Sequence, residues 1–187
     1  MKNLKNISLA LLGLLVISCN NDEVVVPPVT NEEELITTVK VTLTNGSNSI
    51  VLQSKDLDGY DGPNAPYVTV VGNILANTTY VGSVQFLNES VNPVDNITEE
   101  ILAEDEDHQI FYQLSSGLGT ITYTDNDSNN KPVGLGFTYQ TNAAGTGYLV
   151  VTLIHLPSKS APGVASGNIA NAGGSTDAKV TLPITIQ

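Results

Sequence analysis

The stretch LITTVKVTLTNGSNSIVLQS, residues 35–54, decides the fold class. Leu35, Thr37, Val39, Val41 and Leu43 alternate with Ile36, Thr38, Lys40, Thr42 and Thr44, the period of two that suits a half-buried strand. Asn45 and Gly46 tolerate positive φ, so NGSN reads as a tight turn and SIVLQS as the returning arm of a hairpin. Seven more strand-like runs follow, beginning at Tyr67, Thr78, His108, Gly119, Val133, Gly147 and Lys179. Short strands separated by turn signals predict an all-β fold, an immunoglobulin-like β-sandwich of about seven to nine strands spanning 35–187 as one domain. Pro183 interrupts the last run on the face opposite Val180, Leu182, Ile184 and Ile186, which places that strand at an edge.

One segment breaks the β pattern. In DNITEEILAEDEDH, residues 95–108, Asn96 can cap, Glu99 follows three residues on, and Ile97, Ile101 and Leu102 share a stripe, so a helix of about two turns is expected. Asp105, Glu106 and Asp107 crowd its negative end, an arrangement that solvent or a cation must relieve. The segment from Ser158 to Val180 is rich in small residues and reads as a long loop, either a flexible surface or a binding edge.

Upstream of the domain, Lys2 and Lys5 precede ISLALLGLLVIS, an apolar run of signal-peptide length that is too short for a membrane span of roughly 20 residues. Val16, Ile17 and Ser18 stand before Cys19, the only cysteine. This order resembles the lipobox of bacterial lipoproteins, which implies a signal peptide over 1–18, cleavage before Cys19, and acylation of its thiol. Residues 19–34, with two adjacent prolines among acidic and polar residues, read as an extended flexible tether. The NNDE that follows Cys19 resembles the export signals that carry Bacteroidota lipoproteins to the outside of the outer membrane. Cleavage would remove two of the seven basic residues and none of the nineteen acidic ones. With that charge and no arginine, nucleic acid is excluded as a natural partner, and hard cations or basic surfaces are favoured.

Three constellations could carry chemistry. Asp56, Asp58 and Asp61 sit around Gly59 and Gly62, and alternate carboxylates on a turning loop can converge on Ca2+. Asp125, Asp127 and Asn129 repeat that spacing between two strands and resemble the Asp-rich calcium loops of extracellular modules. Aspartate, asparagine and glycine are equally what plain turns use. Glu104 stands four residues before His108, one helical turn if the helix persists, and with His155 could offer one oxygen and two imidazole nitrogens to Zn2+ or Cu2+. A histidine ending an apolar strand, as His155 does, is more commonly structural. No Gly-x-Ser-x-Gly elbow, Walker loop or His-Glu-x-x-His is present, and an acylated Cys19 supplies no thiol, so no catalytic residue is assigned.

From NEEELITTVKVTL through DHQIFYQ to IANAGGSTDAKVTLPITI, the chain resembles small β-rich lipoproteins of the Bacteroidota. These are uncharacterised or carry a type 1 periplasmic-binding-fold name that an all-β sequence does not support. The resemblance implies export, a β-sandwich and no established catalytic residue. The expected function is that of a lipid-anchored envelope protein, binding a metal or nutrient for an outer-membrane uptake receptor. The alternative is a structural or adhesive module without a ligand, with a hydrolase of dispersed carboxylates as the last choice.

Overall fold

The computed structural model describes residues 35–60 and 62–187. The signal-peptide, Cys19 and tether expectations, and that for Asp61, lie outside the described residues. The two-sheet sandwich expected from the alternation is what forms, with nine strands and one short α-helix among the described residues. The strands are β1 (Thr38–Asn45), β2 (Asn48–Lys55), β3 (Tyr67–Val71), β4 (Thr79–Leu87), β5 (His108–Leu114), β6 (Gly119–Tyr123), β7 (Gly136–Thr141), β8 (Gly145–His155) and β9 (Ser175–Ile186). Helix α1 (Ile97–Ala103) lies between β4 and β5.

The larger sheet has the order β3-β2-β1-β4-β7-β6 and the smaller one β5-β8-β9, with every neighbouring pair antiparallel. Alternation along β1 and β2 turns Val39, Val41 and Leu43, and Ile50, Leu52 and Ser54, toward the second sheet. Gly46, at φ +57°, closes the hairpin between them in the left-handed region that a side chain disfavours. On β4 the inward column reads Tyr80, Gly82, Val84, Phe86. Gly82 is paired with Phe137 of β7, and a Cβ there would come within 2.2 Å of the Phe137 ring, so the missing side chain makes room for that ring. Leu149, Val151 and Leu153 of β8 fill the facing side of the core.

The two sheets are joined along both flanks. The Tyr123 hydroxyl on β6 donates to the Ile110 carbonyl on β5 at 2.7 Å, and the Tyr112 hydroxyl donates to Gly134 O at 2.6 Å. On the other side Ile186, at the end of β9, makes a parallel bridge to Ile74, with Gln187 N–H donating to Ile74 O at 2.8 Å. β9 is the edge strand that Pro183 requires.

Three expectations are corrected. Leu102 does not share the buried stripe of α1: Ile97 and Ile101 are buried, whereas Leu102 is 60% exposed, because a helix this short presents one narrow face to β4. Asn96 is the N-cap by position, but its side chain donates to Glu99 Oε1 rather than accepting a backbone N–H. The segment after β8 is no loose loop. Two 3-10 turns, Val164–Ser166 and Ile169–Asn171, bring Val164 and Ala172 onto Phe111 and Ile154, a second small core on the outer face of the smaller sheet.

Candidate functional site

β2 ends by turning from apolar to polar along its inward column: Ile50 and Leu52 are followed by Ser54, and Asp56 comes two residues later. Ser54 is 2% exposed and paired in register with Val39, so the strand period holds it among core positions. Together with Ile36, Thr37 and Val39 on one side and Ala178, Lys179 and Val180 of β9 on the other, Ser54 and Asp56 line a cavity of about 180 Å3. Tyr60, Asn64 and Pro66, from the β2–β3 connection, complete its wall. A cavity of about 150 Å3 accepts a benzene-sized molecule, so this one has room for a small ligand.

Two polar atoms of this cavity lack partners, as do four buried side-chain atoms elsewhere among the described residues. Ser54 Oγ and Asp56 Oδ1 are both buried and neither has a hydrogen-bond partner. A buried acceptor left unpaired costs about 1–3 kcal/mol, so two in one wall mark a place where the fold gives up stability. The Asp56 carboxyl also lies against that of Asp58. Burial, and then the hydrogen bond and charge of Asp58, raise Asp56 above the usual carboxylate range. The hydrogen bond from Asp56, joined by the backbone N–H of Asn64, lowers Asp58. Asp58 Oδ2 further accepts from Asn64 Nδ2 at 2.9 Å, which pins the loop that walls the cavity.

The other sequence candidates have different employment. Asp125 bridges the β6–β7 connection, with Oδ1 accepting from Gly134 N–H at 2.9 Å and Oδ2 from Gly136 N–H at 3.0 Å. Asp127 Oδ1 accepts from the N–H groups of Asn129 at 2.9 Å and Lys131 at 2.8 Å, while its Oδ2 takes the Lys159 ammonium at 2.8 Å. Lys159 is only 7% exposed and also donates to Asp105 O. Burial alone would raise the Asp127 carboxyl; the hydrogen bonds from Lys159 and from the Lys131 and Asn129 backbone outweigh it and hold it below the usual range. The cation on this loop is therefore a lysine of the same chain. Asn129 contributes its N–H, and its side chain is exposed.

The two aspartate loops do open at the same end of the larger sheet, but β2 and β7 stand three strand steps apart. At about 4.8 Å per step that is about 14 Å, far beyond the reach of one ion with calcium–oxygen bonds of about 2.4 Å. Among the described residues no group of three or more His, Cys, Asp or Glu side chains is arranged to hold a metal ion.

His108 and His155 are brought together, as a register pair of β5 and β8 whose rings stack at 5.0 Å with planes 22° apart. The rings are stacked rather than turned edge-on toward a common point, whereas a metal must lie in the plane of each ring within about 2.1 Å of its nitrogen. Glu104 does not join them through its carboxylate. α1 ends at Ala103, so the helical spacing lapses, and it is the Glu104 carbonyl that meets His108 Nδ1, at 3.1 Å. The carboxylate near the pair is Asp177, 3.8 Å from His108 Nε2. Asp177 is the extra residue of a bulge, since Leu153 pairs with Ala178 and Ile154 with Thr176.

Sequence reasoning missed Ser54, Tyr60, Lys159, Asp177 and Lys179. Ser54 alone carried a local signal, a polar residue in an apolar inward column. No known protein family, curated protein or solved structure matches this chain. Among the described residues no helix is long and apolar enough to cross a membrane.

Proposed function

We propose that the chain is a lipid-anchored lipoprotein of the outer membrane, facing the exterior, whose sandwich binds a small ligand between β1, β2 and β9 and catalyses no reaction. The observation that carries the binding reading is the pair of buried, unpartnered oxygens, Ser54 Oγ and Asp56 Oδ1, in the wall of one cavity. Unsatisfied polar groups persist in a fold where function uses them, and a largely apolar pocket with a few convergent polar groups is the usual form of a ligand site. The anchor rests on the lipobox-like run ending in Cys19 and the basic residues Lys2 and Lys5. A module of this kind would hand its ligand to an uptake receptor in the same membrane.

Two variants test the two halves. Cys19→Ser in a diderm host is expected to leave the membrane fraction, and its continued retention there would sink the anchor. Ser54→Leu fills the cavity: it is expected to fold and to lose the thermal shift that a small-molecule panel produces in the parent chain. An undiminished shift in that variant would remove the cavity from the function. The adhesive alternative has its own support in β3, an edge strand without charge whose Tyr67 and Val71 are 70% and 65% exposed.

A further inference from the structure

Resting on the reading of the β1–β2–β9 cavity as a binding site, we infer that its ligand is a small organic ammonium, an apolar body of about eight heavy atoms that ends in a protonated amine. The body follows from the walls. Ile36, Val39, Ala178 and Val180 give the cavity apolar sides, and its volume of about 180 Å3 limits the occupant to the size of a single substituted ring.

The amine follows from the polar end. Ser54 Oγ and Asp56 Oδ1 are buried without a partner, and Asp56 shares its proton with Asp58, so a bound cation would let both carboxyls ionise and accept, with the Ser54 oxygen as a further acceptor. An ammonium supplies three donors and no acceptor, and it brings the one charge that the abutting Asp56 and Asp58 carboxyls lack. An anion would meet the Asp56 carboxyl in the lining. The basic group in the lining, Lys179, is exposed and forms no ion pair with either carboxyl, so its head can extend into solvent. Tyr60, a part-exposed residue of the lining, is an aromatic of the kind that attracts cations. The pair is thus distinguished from Asp127, whose positive partner, Lys159, is already built into the chain.

Calorimetric titration of the full chain at pH 7 with benzylamine, benzyl alcohol and benzoate separates charge from shape. Benzylamine is expected to bind at least tenfold more tightly than benzyl alcohol, with no binding of benzoate. Asp56→Asn and Ser54→Ala, each checked for an unchanged circular-dichroism spectrum, are expected to weaken benzylamine at least tenfold. Benzyl alcohol or benzoate binding as tightly as benzylamine overturns the ammonium assignment while leaving the cavity as a site. Absence of binding by all three, or benzylamine binding undiminished in Ser54→Leu, overturns the cavity reading itself.

Discussion

At the scale of single residues, the most consequential side chain is Lys159. It is a buried ammonium whose partners, Asp127 and the Asp105 carbonyl, come from connections on either side of β5 and β6. Removing one member of a buried ion pair strands the other, at a typical cost of about 3–5 kcal/mol. Lys159→Met is therefore expected to lose about 3 kcal/mol in urea denaturation at pH 7. The sign of its pH dependence follows from Asp127. A carboxyl held below its ordinary 3.8 in the fold stabilises above that value, and the contribution is lost as pH falls through the lower folded value. The gap between Lys159→Met and the parent should accordingly narrow in acid below that range. Ser54 shows the opposite economy, since its hydroxyl is buried with nothing to bond.

At the scale of elements, β4 depends on a residue it lacks. Gly82→Ala would drive a Cβ into the Phe137 ring, and overpacking a tight core typically costs about 1–3 kcal/mol. The variant is expected to unfold at lower urea with an unchanged slope, and wild-type stability in it would show that the ring has room to yield. Elements were also where the chain was most legible. The nine strands could be read from short β-type runs between turn signals, and the period of two is clearest in β1 and β4, where one face lies on the core; β5 and β8 are buried on both faces where the second small core covers them. β9 was read too short. It starts at Ser175, where Gly173 and Gly174 suggest a turn and the Asp177 bulge breaks the alternation. The site was less legible for a physical reason. Asp127 and Lys159 are 32 positions apart, and Ser54 meets Ala178 only because two sheets stack, a fact that no local pattern encodes. Aspartate spacing alone does not separate a calcium loop from a plain turn, because both recruit the same residues.

At the scale of the whole molecule, the sandwich is held shut by contacts at its flanks as well as by its core. Tyr123 spans the sheets through its bond to Ile110 O, and burial pushes its phenol up to about 12; Tyr139, also buried, is raised to about 12. A folded value above the ordinary 10.0 means that the unfolded chain gives up its proton first. The stabilising contribution is complete below about pH 10 and disappears as pH rises toward 12. Alkaline unfolding monitored by tyrosine absorbance is expected in that window. Tyr123→Phe should be about 1 kcal/mol less stable at pH 7, from the lost hydrogen bond, and should lose less on alkalinisation. A steeper alkaline loss in that variant would contradict the assignment.

The place of β1 has a mechanical meaning. β1 is the first strand of the described domain, and it is central, paired along its whole length with β2 and from Thr38 to Thr44 with β4. Antiparallel hydrogen bonds run perpendicular to the strand, so a pull entering at Leu35 along its axis loads both ladders together in shear. An edge strand in that position would peel open one bond at a time. A domain hauled from its leading end thus takes the strain on a strand held by a ladder on each side.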